Sequence, residues 1–135
     1  MEIELLRVKE AQGGLQNSPQ LIWLEMQAEA LADRECLWVL HLNTQLELIE
    51  KELVSMGTLD SSIAHPREVF KKAILNSAHS IITVHNHPSG DVKPSAEDKK
   101  AWERFGEAGK IIGIPVIDNL IISARGYYSA SEKGW

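Results

Sequence analysis

Residues 80–98 read SIITVHNHPSGDVKPSAED. The segment SIITVHNH is apolar and rich in β-branched residues, which predicts a strand. It stops at Pro88, because proline cannot donate to a central ladder. SGDVKP is a loop, and SAEDKKAWERFGEAGK is a helix with Ser95 as its N-cap and Asp98 in its first turn. Side chains alternate across a strand, so His85 and His87 share one face and Asn86 takes the other. The two imidazoles, about 6–7 Å apart along the backbone, can converge on one ion. They sit at a strand end, where open α/β sheets bind ligands.

The surrounding sequence supplies a sheet for this strand. MEIELLRVKE alternates and predicts a strand, and AQGGLQN is a turn. Ser18-Pro19 starts a helix over QLIWLEMQAEALAD, with Leu21, Leu24, Ala28 and Leu31 along one face. ECLWVLHLN is a buried strand that pairs as a hairpin, through NTQ, with LELIEKELVSMG. TLDSSIAHP is loop. PREVFKKAILNSA is an amphipathic helix that turns Val69, Ala73 and either Ile74 or Leu75 inward. IPVIDNLIISA is a last buried strand, with YYSASEKGW trailing. Strands alternate with helices around a central hairpin, so the fold class is α/β: a mixed sheet in a three-layer α-β-α arrangement.

The chain has 135 residues, 44% of them hydrophobic. That predicts a single domain over 1–135, with a core large enough to need no staple. The lone Cys36 forbids an intrachain disulfide and fits a reducing compartment. No apolar run reaches the ~20 residues of a membrane span. MEIELLRVKE lacks the basic start of a signal peptide, so the expected location is cytoplasmic. The formal net charge is -5, with no basic cluster longer than Lys71-Lys72 or Lys99-Lys100. Nucleic-acid binding is therefore disfavoured on charge grounds.

Seven residues separate His87 from Ser95. The acidic helix must start close to the histidine strand. Two imidazoles and one carboxylate leave a fourth position for water, the pattern of catalytic zinc; structural zinc sites close with four protein ligands, usually with thiolates. Each piece has a plainer reading: two surface histidines, and a serine and an aspartate that only cap a helix.

The combination His85-Asn86-His87-Pro88-Ser89-Gly90-Asp91 with Pro94, Ser95 and Asp98 resembles the JAMM motif of the MPN (JAB) zinc metalloproteases, in their RadC-like branch. ADRECLWVLHLN, GTLDSSIAHPREVFKKAI and GIPVIDNLIIS resemble RadC-like segments as well. The resemblance covers roughly residues 20–130. It implies a JAB/MPN fold of cytidine-deaminase-like architecture. It implies one Zn2+ per chain on His85, His87 and Asp98, with Ser95 stabilising an oxyanion. It implies a glutamate acting as general base, and Glu35 is the position that matches. Glu35 stands where a helix meets a buried strand, which suits that role; the plainer reading pairs it with Arg34 at a helix end. If Glu35 lay on the far face, Asp91 or Glu97 would be the nearest replacements. Two departures stand out. Asp118-Asn119 replaces the family's usual Asp-His, with only a local change expected. The helix-hairpin-helix region that precedes many such domains is not expected here, so no DNA-binding role carries over from it.

The expected function is therefore a zinc-dependent hydrolase that cuts a peptide or isopeptide bond in a peptide or protein substrate. The alternatives are a catalytically silent metal-binding or protein-interaction module and, with less support, a nucleic-acid-processing factor suggested by the repair-linked family name. A nucleobase deaminase needs His-x-Glu and Pro-Cys-x-x-Cys, which one cysteine cannot supply. His41 is expected in the core or at its edge, His65 as a cap for PREVF, and His79 at that helix's C-terminal end. Cys36 should face away from Glu35 as an inert buried thiol. Trp23, Trp38 and Trp102 are core or interface candidates, and Trp135 is a candidate for terminal disorder.

Overall fold

A computed structural model describes residues 9–56 and 65–135. The strand expected over residues 1–10 and the loop over 58–66 fall almost wholly outside them. Helix α1 (Pro19–Glu25) and the single turn α2 (Gln27–Ala30) precede the hairpin of β1 (Cys36–Leu42) and β2 (Leu48–Met56). Helix α3 (Pro66–Leu75) leads to β3 (Ser80–Asn86), and helix α4 (Ala96–Ile112) leads to β4 (Val116–Ser123). A fifth strand, β5 (Gly126–Ser129), and a short 3-10 turn (Ser131–Lys133) close the chain. The sheet order is β2-β1-β3-β4-β5. Among the described residues only β3 and β4 run parallel, with α4 as their crossover; the other pairs are antiparallel.

This is the expected mixed α/β sheet. β1 and β3 are buried along their whole length, as central strands covered on both faces must be. Alternation sorts their side chains. Cys36, Trp38, Leu40, Leu42, Ile82 and Val84 pack toward α1 and α2 with Leu120 and Ile122. Leu37, Val39, Ile81 and Ile121 pack toward α3 and α4 with Phe70, Trp102 and Phe105. The α4 interface is tight at Gly109, where a Cβ would lie 2.6 Å from the carbonyl oxygen of Ile114.

Three local readings are corrected. The inward stripe of α1 and α2 is Ile22, Met26 and Ala30, while Leu21, Leu24 and Leu31 are exposed. Both stripes have helical spacing, so periodicity alone could not choose between them. Trp23 sets the rotation by donating from Nε1 to the carbonyl of Ser123 at 2.8 Å. On α3, Phe70 joins Val69 and Ala73 in the core, and Ile74 and Leu75 are exposed in the last turn. The tail YYSASEKGW forms β5 and the 3-10 turn, and Trp135 meets Trp102 edge-on at 5.7 Å.

The remaining histidines and Cys36 fall as follows. His65 occupies the N-cap position of α3, but its side chain makes no cap bond. His79 is exposed beyond that helix. Cys36 is buried on the α1 and α2 face. His41 is fully buried, with Asn76 Nδ2 at 2.8 Å from Nδ1 and Glu52 Oε1 at 3.1 Å from Nε2. An amide N–H can only donate, so His41 is neutral with its proton on Nε2.

Burial holds the His41 pKa down to about 4 from 6.5, although the Glu50 charge pulls it up. The unfolded chain therefore binds a proton on His41 that the folded chain refuses. That stability is complete above pH 6.5 and is lost as pH falls toward 4. The loss reaches roughly 3 kcal/mol. His41→Gln should flatten the pH dependence of urea-unfolding stability between pH 7 and 4.5. An unchanged slope would assign that acid loss to other groups.

Candidate metal centre

The end of β3 and the start of α4 build one cluster. Pairing of β1 with β3 sets Leu37 opposite His85. Glu35, two residues before Leu37, thus shares its face with His85 and His87. One ligand atom from each of Glu35, His85 and His87 lies within 4.8 Å of the other two, so the three can hold a metal ion. Glu35 Oε2 is 3.9 Å from His85 Nε2. The two imidazoles meet at 4.7 Å, edge to face.

Asp98 closes the cluster from α4. Its Oδ1 is 3.4 Å from His85 Nδ1, and its Oδ2 is 3.3 Å from His87 Nε2. A reciprocal capping box fixes the carboxylate. Ser95 Oγ accepts from the Asp98 N–H at 3.0 Å, and Asp98 Oδ2 accepts from the Ser95 N–H at 2.8 Å. Between strand and helix, Gly90 takes a φ of +92°, which glycine adopts without steric cost. That turn brings the Asp91 carbonyl to 2.7 Å from His87 Nδ1. A carbonyl only accepts, so Nδ1 carries a proton and Nε2 is the free donor atom of a neutral His87.

The electrostatics ask for a positive charge here. Burial alone would raise the Asp98 pKa, but the two imidazoles and the Ser95 N–H outweigh it and hold the carboxyl far below the usual range. Burial opposes the charging of His87, yet the Asp98 carboxylate and the Asp91 carbonyl raise its pKa. A neutral His87 would aim a lone pair at the Asp98 carboxylate, so a proton or a metal cation must lie between them. His85 is 3% exposed, and among the described residues neither ring nitrogen makes a well-formed hydrogen bond, with only the carboxylates of Asp98 at 3.4 Å and Glu35 at 3.9 Å facing them. A buried imidazole without hydrogen bonds is costly, and a metal ion would satisfy it. Two imidazoles and one carboxylate, without a thiolate, suit a zinc ion with an open position, with the second carboxylate beside it.

All five residues singled out by the sequence, Glu35, His85, His87, Ser95 and Asp98, come together here. Asp91 contributes its carbonyl, a role the sequence analysis did not assign. Its side chain accepts instead from the Lys93 N–H at 3.0 Å. In sequence Asn119 is a departure from a family pattern. Its Oδ1 accepts from Thr83 Oγ1 at 2.5 Å, and Thr83 is the next residue along the His85 face of β3. The change at Asn119 is thus felt one side chain away from the imidazoles.

A family model described as RadC-like JAB domain matches residues 16–135. Relatives named UPF0758 protein are similar over most of the chain. The one from Chlorobium chlorochromatii is 52% identical over 101 residues, 75% of this chain and 46% of the relative. The one from Rubrobacter xylanophilus is 54% identical over 102 residues, 76% of this chain and 44% of the relative. The one from Thermotoga maritima is 46% identical over 102 residues, 76% of this chain and 46% of the relative. The aligned region thus spans less than half the length of these curated relatives.

Ser95→Ala should remove one half of the capping box and cost ~1 kcal/mol of stability. Urea unfolding in the presence of chelator measures that loss. Ser95→Thr should recover most of it. Equal stability of all three proteins would show that the cap contributes nothing.

Proposed function

The chain belongs to the family of RadC-like JAB domains, and from that premise we propose that it is a zinc-dependent hydrolase of the JAMM type, cutting a peptide or isopeptide bond. The observation that carries this reading is the buried His85, whose ring nitrogens lack hydrogen bonds and face Asp98 on one side and Glu35 on the other. His85, His87 and Asp98 would hold the ion. His85 stands in β3, His87 follows it directly with its N–H bonded to the Ile122 carbonyl, and Asp98 is ionised and anchored by its cap on α4. Glu35 comes from a separate segment and is a third exposed, which suits a group that must exchange protons.

When bound, zinc supplies Lewis acidity, polarising a carbonyl and acidifying water toward pKa ~7. Glu35 takes the proton from the attacking water on its carboxylate and passes it to the departing amine. Ser95 Oγ already accepts from the Asp98 N–H, so its hydroxyl proton is left to donate. It can stabilise the carbonyl oxygen as negative charge grows there. The His87 Nδ1 proton, held by the Asp91 carbonyl, keeps Nε2 directed at the ion. A peptide or protein substrate also fits the net charge of -5 better than nucleic acid does. Among the described residues no helix is long and apolar enough to cross a membrane. A cytoplasmic setting is part of the same proposal.

Elemental analysis of the purified protein should find one zinc per chain. A screen of peptide and isopeptide substrates should find cleavage that chelator stops and zinc restores. Glu35→Gln should keep the fold and, with zinc in excess, the bound ion, but slow turnover by about two to four orders of magnitude. The double variant His85→Ala, His87→Ala should lose the metal. Retained zinc in that double variant, or full turnover in Glu35→Gln, would sink the assignment. Zinc with no cleavage of any substrate would leave a silent metal-binding module.

A further inference from the structure

Asn86 lies between the two imidazole-bearing residues, yet its side chain points to the opposite face and is completely buried. It does not pack there as a hydrophobe. Its Oδ1 accepts from the backbone N–H of Cys36 at 2.6 Å. Its Nδ2 donates to the carbonyl of Arg34 at 2.9 Å and lies 3.5 Å from that of Ala32. The Arg34 carbonyl and the Cys36 N–H belong to the two peptide groups that flank Glu35. One side-chain amide therefore grips both peptides of the residue proposed as general base.

The main-chain pairing of β1 with β3 ends at Leu37 and His85. Beyond that pair the ladder does not reach the Arg34–Cys36 segment, and the Asn86 amide takes its place. We propose that Asn86 is a positioning residue: by holding the peptides on both sides of Glu35, it fixes that residue's φ and ψ and aims the carboxylate at the metal centre. This inference rests on the reading of Glu35 given above. The end of β3 that carries His85 and leads directly into His87 thus also sets the third group, so one short segment controls the geometry of all three. An amide is required because one atom must accept while the other donates. Aspartate would present an oxygen to the Arg34 carbonyl, and leucine would leave the Cys36 N–H unpaired and remove the amide donor from the Arg34 carbonyl.

The test uses hydrogen exchange and a double-mutant cycle read by zinc affinity, so it does not depend on turnover. Exchange of the Cys36 amide should accelerate by about tenfold or more in Asn86→Ala, while the amides of Val39 and Leu40 keep their protection. In the parent, Glu35→Gln should weaken zinc binding about three- to tenfold, because a carboxylate beside the ion is lost. In the Asn86→Ala background the same change should weaken it less than twofold. A purely structural asparagine would lower stability and leave that coupling intact. Asn86→Asp keeps the acceptor for Cys36 and loses the donor for Arg34, so it should show partial uncoupling; it also serves if the alanine variant does not fold. The same Glu35→Gln effect in both backgrounds, or unchanged Cys36 protection, overturns this inference alone. A parent in which Glu35→Gln alters neither zinc affinity nor turnover overturns the reading of Glu35 and the inference with it.

Discussion

The pleat of β3 is the constraint on which the site depends. It turns His85 and His87 toward α4 and Asn86 toward α1, within three consecutive residues. Because β3 is central and both faces are covered, a slip of one residue would bury the imidazoles among Trp38, Leu120 and Ile122 and send Ile82 and Val84 to the metal face. Pairing with β1 on one side and β4 on the other fixes the register. The helix then needs only a short loop to bring a carboxylate to the imidazoles. Gly90, Pro94 and Ser95 give that loop its turn, its end and its helix start.

Much of this is readable in the chain because the relevant signals are local. Alternation places the histidines, proline ends the strand, and serine three residues before aspartate starts the helix. The hairpin of β1 and β2 is likewise visible as two apolar runs about a polar turn. What could not be read depends on distant partners. The α1 stripe is decided by Trp23 and Ser123, a hundred residues apart. β5 is joined to β4 by Ala124 and Arg125, which lack the Asn-Gly character that marks a two-residue hairpin turn. Gly126 directly after them is the signal that was available. The hold of Asn86 on the Arg34–Cys36 segment spans fifty residues and leaves no trace in either segment's periodicity.

Recognition of Glu35 is instructive for the same reason. Nothing near it in sequence resembles a metal site, and its charged neighbours Asp33 and Arg34 suggest an ordinary exposed helix end. Resemblance to a family pointed to it, and strand parity explains why it arrives on the correct face. The geometry alone would also admit Glu35 as a ligand. The group that can hold an ion is Glu35, His85 and His87; the proposed division, with Asp98 as ligand and Glu35 as base, is favoured by the capping box, which holds Asp98 more rigidly.

That capping box has a further effect on any cation held beside it. Asp98 lies in the first turn of α4, where aligned peptide dipoles amount to roughly half a positive charge. Seventeen residues of helix point that end at the imidazoles. The field favours the ionised carboxylate but repels a divalent ion. The Ser95 N–H further draws electron density from Oδ2, leaving Asp98 a weaker donor than a solvated carboxylate. An ion at this position is therefore more electron-poor than its ligand list alone would suggest. A cation held there would pass more readily to a competing chelator and would polarise a neighbouring carbonyl more strongly.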